Sequence, residues 1–184
     1  MTIRISGGEL NSRLLQTNLD KTLKPTTNFL RQVLFNWLGL EVHGAHILDL
    51  CAGSGAIGIE ALSRGASHAT FVEKQSMLCK GIEDNCRNFK IEQTKFEVVC
   101  LDVISYCERV AKKYHVVFID PPYSEHALIP QCIDALIRSE SLTHQASIIC
   151  ETYAKTPPFQ SAFVKMLKRK QTNTSALTLY MYLA

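Results

Sequence analysis

Tyr114-His115-Val116-Val117-Phe118-Ile119-Asp120-Pro121-Pro122-Tyr123 reads as a short buried strand that runs into a turn carrying polar chemistry. Val116 to Ile119 form an uninterrupted apolar, β-branched and aromatic run of strand length, and Asp-Pro-Pro stops it. Two prolines remove two backbone donors and stiffen the turn, so the Pro121 carbonyl is held outside any helix or sheet ladder. Asp120 adds a carboxylate and Tyr123 an aromatic face. Two acceptors beside a stacking platform suit a planar base that carries an exocyclic amine. The plainer alternative is an ordinary strand-to-helix turn, capped by Asp120 and packed by Tyr123.

Upstream, Asp49-Leu50-Cys51-Ala52-Gly53-Ser54-Gly55-Ala56-Ile57-Gly58 ends one strand and opens a helix. Glycines there let the chain turn sharply and let a ligand approach the backbone. Outward from these two stretches the chain alternates strand and helix. Strands are expected at Ile47–Leu50, Ala69–Glu73, Phe96–Cys100, the run before Asp120, and Ser147–Glu151. Helices are expected at Ala56–Arg64, from about Ser76 to Phe89, from Asp102 to about Lys112, and at Leu128–Arg138. Phe163–Leu167 and Ala176–Tyr182 read as a closing strand pair across a basic turn, Lys168–Ser175. The expected fold is α/β: a doubly wound, mostly parallel, seven-stranded sheet with a short N-terminal extension. Residues 1–184 are read as one domain, with residues 1–25 an arm or hairpin and 26–184 the core. Lys24-Pro25-Thr26-Thr27 starts a further helix, whose apolar stripe Leu30, Val33, Leu34, Trp37 and Leu38 runs to Gly39. Thr26, Thr27 and Arg31 are read as off that stripe or at the helix start, where a ligand is met.

The composition, 46% hydrophobic and 20% charged, is that of a soluble globular protein. No apolar run reaches membrane-spanning length and no signal-peptide core opens the chain, so a cytoplasmic location is expected. Seven cysteines without a C-x-x-C are read as reduced thiols, and the six histidines lack metal-ligand spacing, so no metal is expected. Net charge is +3, divided as +3 over residues 1–38, −5 over 39–152 and +5 over 153–184. Basic ends on an acidic middle suit a polyanion held by the termini.

Gly53–Gly58 also fits the spacing of a dinucleotide site, with Glu73 ending the next strand. Against that reading, Asp49 would repel a pyrophosphate yet attract the ammonium of a methionyl group. S-adenosylmethionine suits the whole arrangement better. Glu73 would accept from its ribose hydroxyls and Asp102 from its adenine amine. Cys51, Ala52, Gly53, Ser54, Gly55, Lys74, Val103, Thr26 and Asp120 complete the expected cofactor set. The fold that follows is a class I, Rossmann-like, S-adenosylmethionine-dependent methyltransferase. Asp120, Pro121, Pro122 and Tyr123 form its expected catalytic group.

Arg4-Ile5-Ser6-Gly7-Gly8, Lys24-Pro25-Thr26-Thr27, Arg31, Leu34-Phe35-Asn36-Trp37-Leu38, Ala52-Gly53-Ser54-Gly55, Glu60-Ala61-Leu62-Ser63-Arg64-Gly65-Ala66, Asn85 and Asp120-Pro121-Pro122-Tyr123 occur in this order. In that pattern the chain resembles the bacterial 16S ribosomal RNA guanine-N2 methyltransferase family. Asp-Pro-Pro-Tyr alone also resembles adenine-N6 methyltransferases, so that substrate stays open. The resemblance implies methylation of one guanine of 16S rRNA, preferably in the assembled small subunit. The chain departs from the family pattern at Lys24, where arginine is usual, at Cys51, where an aromatic residue is usual, and in the missing Tyr-Gly of the Lys168–Thr174 segment. Phosphate contacts are expected from Arg4, Arg13, Lys24, Arg31, Lys168, Arg169 and Lys170, and a monomer is expected.

Overall fold

The computed structural model describes residues 2–17 and 28–183; Lys24, Pro25, Thr26 and Thr27, singled out above, lie outside the described residues. Strands β1 (Thr2–Arg4) and β2 (Leu14–Gln16) pair as an antiparallel hairpin. The main sheet holds β3 (His46–Leu50), β4 (His68–Glu73), β5 (Phe96–Cys100), β6 (Tyr114–Ile119), β7 (Leu142–Tyr153), β8 (Val164–Gln171) and β9 (Ser175–Tyr182). Its order is β5-β4-β3-β6-β7-β9-β8, parallel from β5 to β7 and antiparallel at β9 and β8. The chain steps outward from β3 to β5, then returns to the other side of β3. That reversal opens a crevice at the carboxyl ends of β3 and β6, the place where open α/β sheets hold ligands.

Five helices cover the sheet: α1 (Asn28–Leu38), α2 (Ala56–Ser63), α3 (Ser76–Asn88), α4 (Val103–Arg109) and α5 (Leu128–Arg138). Central parallel strands are buried on both faces, which is why their sequences read as continuous apolar runs. Ile47, Phe71, Phe118, Ile149 and Leu179 pack into one core with residues of α1, α2 and α3. Leu48, Val72, Ile119, Ile148 and Tyr180 point the other way, into a core with α4 and α5. Helix α2 lies so close to the sheet that a Cβ on Gly58 would collide with the Phe71 ring.

Up to its last residue, Ser63, helix α2 is apolar on every side except for Glu60, which has 0% exposure. Its carboxylate accepts from Arg31 Nε at 2.6 Å, Arg64 Nη2 at 2.7 Å, Ser6 Oγ at 2.5 Å and the Ser6 N–H at 3.3 Å. Arg31 also donates to the Arg4 carbonyl and, at 2.6 Å, to Asn28 Oδ1. This corrects the expectation that Arg31 meets phosphate. Only 1% of it is exposed, because a buried carboxylate requires its guanidinium. The arm docks on the end of the same helix: Ser63 Oγ donates to the Gly7 carbonyl, and the Ser63 carbonyl accepts from the Glu9 N–H. Gly8, at φ 75°, has no room for a Cβ against that carbonyl. At the arm's other end Asn85 pairs with Gln16 as a strand would, donating to its carbonyl at 2.9 Å and accepting its N–H at 3.1 Å.

Three boundaries differ from the sequence reading. Helix α4 ends at Arg109, because Val110 turns extended. Strand β7 begins at Leu142, five residues early. Lys168–Lys170 belong to β8 rather than to a turn, which is confined to Thr172–Thr174. Arg169 is half-buried and donates to Thr178 Oγ1 at 3.0 Å and the Thr156 carbonyl at 2.7 Å, so it ties the β7–β8 connection down instead of facing phosphate.

Replacing Arg31 with Met strands the Glu60 charge in the core, and a loss of about 3–5 kcal/mol is expected from urea titration. Arg87→Met, which removes only exposed pairs with Glu83 and Asp84, should cost no more than about 1 kcal/mol. Equal losses from the two variants would refute the assignment of Glu60 as the buried hub.

Candidate active site

Leu50 pairs with Val72 on one side and Ile119 on the other. One residue further on, Cys51, Glu73 and Asp120 therefore stand at one level at the carboxyl end of the sheet. The Ala52 N–H still reaches the Val72 carbonyl at 3.1 Å, and the Asp120 N–H the Leu50 carbonyl at 3.4 Å. Asp49 pairs with Phe71 and Phe118, so strand alternation puts Asp49, Glu73 and Asp120 all on the α2 side.

Asp49, 2% exposed, accepts the Gly58 N–H at 2.9 Å. Gly58 is in the first turn of α2, a helix with no side-chain cap of its own, so Asp49 caps it from the sheet. Burial lifts the Asp49 pKa to about 8; the Gly58 N–H opposes this, and the neighbouring Asp120 and Glu73 charges add to it. With a carboxylate on this N–H, the first turn of α2 is a poor seat for pyrophosphate, which argues against the dinucleotide reading.

Glu73 spans two backbone donors, Gly53 N–H at 3.0 Å and Gln75 N–H at 2.9 Å, and so fixes the glycine loop to the start of α3. That loop has left-handed backbone at Cys51 (φ 60°), Gly53 (φ 55°) and Gly55 (φ 74°). Glycine adopts this freely and cysteine does not, so the Cys51 conformation is imposed by the turn around it, including Gly55 N–H to the Ala52 carbonyl at 2.7 Å. Burial pushes the Cys51 thiol far up, which makes it a packing group and not a nucleophile.

Asp102 caps α4 by accepting the Ser105 N–H at 2.9 Å; the Ser105 side chain, and after it this N–H, hold its carboxyl below the usual carboxylate range. Val103, next to it, is buried. Lys74 Nζ pairs with Glu125 at 3.0 Å, which joins the end of β4 to the 3-10 turn Tyr123–Glu125 across the glycine loop. Of the proline turn, Pro121 is buried and Pro122 exposed, and the Pro122 carbonyl accepts the Glu125 N–H at 2.7 Å. Among the described residues no group hydrogen-bonds to the Pro121 carbonyl. Tyr123 opens the 3-10 turn; its side chain lies outside the described residues.

The structure thus gathers Asp49, the Cys51–Gly55 loop, Glu73, Lys74 and the Asp120 turn into one crevice, with Asp102 at the next strand end. It leaves Arg4 and Arg13 exposed on the arm and Lys168 and Lys170 exposed on the far edge strand. Sequence reading missed Glu125, whose partner is 51 residues away. It also missed the role of Glu60, although a lone acid in a helix apolar on all sides was a legible sign of a buried partner.

Residues 3–181 match the family model described as conserved hypothetical protein 95. The chain is 37% identical over 177 residues to ribosomal RNA small subunit methyltransferase D of Buchnera aphidicola subsp. Baizongia pistaciae, covering 93% of this chain and 88% of that protein. It is 32% identical over 180 residues to the protein of the same name from Haemophilus influenzae, with 97% and 93% covered. A solved structure from Escherichia coli, provisionally described as the methyltransferase yhhF, superposes with a TM-score of 0.90 at 32% identity and covers 100% of this chain and 99% of that one. A methyltransferase-type structure solved with SAH shares the fold at 18% identity and a TM-score of 0.72, over 93% of this chain and 54% of that one. By family model and by identity over nearly its whole length, the chain belongs to the conserved hypothetical protein 95 family and to the ribosomal RNA small subunit methyltransferase D group.

Proposed function

We propose that this protein transfers a methyl group from S-adenosylmethionine to the exocyclic N2 amine of a guanine in 16S rRNA, within the assembled small subunit. One observation carries the reading: an acid-lined crevice with Asp120 and a free proline carbonyl at its edge. Burial raises the Asp49 pKa most, and Asp120 and Glu73 sit near enough for their charges to add to it. Acids gathered in one crevice call for a cation, which on binding draws the proton off Asp49, and a sulfonium bearing an α-ammonium group is a good match. On this reading Asp49 takes the ammonium group, and Glu73, its carboxylate held by two backbone donors, accepts from the ribose hydroxyls. Asp102, Val103 and Lys74 line the adenine end, while Ala52, Gly53, Ser54 and Gly55 allow close backbone approach. When bound, the cofactor supplies a methyl group activated on sulfur.

The chain's own part is to make a poor nucleophile competent. A guanine amine delocalises its lone pair into the ring. Asp120 and the Pro121 carbonyl each accept one N–H, which draws the nitrogen towards tetrahedral geometry and frees the lone pair on the face away from them. As charge develops on nitrogen, the Asp120 carboxylate stabilises it and takes up the proton. Tyr123 supplies an aromatic face for a base that has left its stack. The remaining requirement is orientation, which strand ends and consecutive prolines provide.

The direct test is labelled methyl transfer to unmodified small subunits, naked 16S RNA and duplex DNA, with the product nucleoside identified by mass. N2-methylguanosine from subunits is expected; N6-methyladenine from DNA would overturn the substrate. Asp120→Ala should lower turnover by about 10²–10³ and leave the cofactor dissociation constant within about twofold. Wild-type turnover in that variant would remove Asp120 from the chemistry.

Asp49 gives a pH test. Its carboxyl ionises near 3.8 when unfolded and near 8 when folded. Between those values the folded state holds one proton more than the unfolded state, so this group's contribution to stability falls as pH rises through the window. Asp49→Asn removes that loss: its stability relative to wild type should improve steadily from pH 5 to pH 8, while its cofactor affinity drops. Calorimetry at pH 7 in buffers of different ionisation enthalpy should show proton release on cofactor binding to the wild type only. A stability difference flat across the window would overturn the assignment.

A further inference from the structure

Strand β8 forms one free edge of the sheet and carries three exposed lysines, Lys165, Lys168 and Lys170. Strict alternation would put Lys165 on one face and Lys168 and Lys170 on the other. The register prevents this: Met166 pairs with Tyr180 and Lys168 with Leu179, so Leu167 is an extra, bulged residue. Lys165, Lys168 and Lys170 then lie opposite Met181, Leu179 and Leu177, and Leu177 and Leu179 belong to the α1–α2–α3 core. All three lysines therefore share that face, the face on which Asp120 stands. Successive lysines are two paired positions apart, roughly 7 Å. Arg169, on the opposite face, is the basic residue spent on Thr178 and Thr156.

The row also leads to the active site. Strand β8 runs from the amino-terminal to the carboxyl end of the sheet, and Lys170 pairs with Leu177, which pairs with Glu151. Glu151 follows Cys150, the partner of Ile119, so Lys170 is level with Asp120. Three strand spacings separate them, about 14 Å. Between the end of β8 and the Asp120 turn lies a groove of about 560 Å³ lined by His126, Tyr153, Lys155, Thr156, Asn173 and Thr174.

We infer that the Leu167 bulge makes β8 a phosphate-tracking row, which holds the RNA strand flanking the target base and leads it through this groove to Asp120. The inference rests on the reading of RNA as the substrate. Edge lysines also serve to block strand-to-strand association, but that task does not require three of them on one face.

The test measures binding of small subunits against salt concentration, alongside methyl transfer. Lys165→Gln/Lys168→Gln/Lys170→Gln should flatten the slope of log affinity against log salt by about 2, at roughly 0.7 per single-strand phosphate contact. It should also raise KM for subunits while kcat and cofactor affinity stay as in wild type. Lys80→Gln/Lys90→Gln/Lys113→Gln removes the same charge elsewhere and should leave the slope unchanged. Deleting Leu167 should return Lys165 to the other face and flatten the slope by about one contact, provided circular dichroism shows a folded protein. Equal slopes for the two triple variants would overturn the row, as would an unchanged slope accompanied by self-association of the β8 variant. Absence of methyl transfer by the wild type would count against the proposed function, while the slope comparison would still judge the row.

Discussion

Glu60 is a charged group with no access to water, and taking a carboxylate out of water costs several kcal/mol unless donors replace the solvent. Here the replacements come from three directions: Arg31 from α1, Arg64 from just past the end of α2, and Ser6 from the arm. Helix α2 cannot lie on the sheet without α1 and the arm in place, since either absence leaves part of the carboxylate unpaired. The coupling continues past the ion pairs. Arg64 stacks over the Phe35 ring at 4.6 Å, and Phe35 meets Phe118 at 6.3 Å between ring centres. Phe118 stands two residues before Asp120. One buried charge thus fixes the helix that closes the glycine loop and the segment that packs behind the Asp120 strand.

Helix α2 touches a second buried carboxylate, and the contrast between the two is instructive. Glu60 is neutralised by two guanidinium groups. Asp49, at the other end of the helix, has one backbone N–H and two more acids for neighbours. The chain saturates the first charge; around the second, among the described residues, it sets acids and a single backbone donor, which leaves Asp49 mostly protonated at neutral pH. Glu60 and Asp49, the acid proposed to meet the cofactor, differ by what surrounds them. Depth of burial alone does not separate them.

The same contrast explains what could be read from the sequence. Val116–Ile119 and Ile47–Leu50 announce buried parallel strands because burial on both faces demands apolar residues at every position. The order of strand ends then places Asp49, Glu73, Asp102 and Asp120 without any knowledge of side-chain geometry. Arg31 was misread because helical spacing shows which residues leave the apolar stripe but not that a carboxylate from another helix waits there. The partners of Asn85 and Lys74 were equally out of sight, since Gln16 and Glu125 lie 69 and 51 residues away. The bulge at Leu167 leaves no mark either, because an inserted residue in an edge strand changes the facing of its neighbours and not their composition.

What distinguishes this crevice mechanically is how its groups are held. Asp49, Glu73 and Asp120 stand on or directly after paired strands, and Asp120 is still tied through its N–H to Leu50. Among the described residues, the 3-10 turn Tyr123–Glu125 is tied by the backbone bond from Glu125 to Pro122 and by the Lys74–Glu125 pair. Both partners of that pair are exposed, at 54% and 39%, and exposed pairs contribute about 0–1 kcal/mol. Such a pair biases the turn towards the crevice without locking it. The acids therefore stand on the most firmly paired part of the crevice, and the turn that follows them on a less firmly paired part. On the proposed function, selectivity for the base rests with the acceptors on that firm part, Asp120 and the Pro121 carbonyl, and with the surface that delivers the strand.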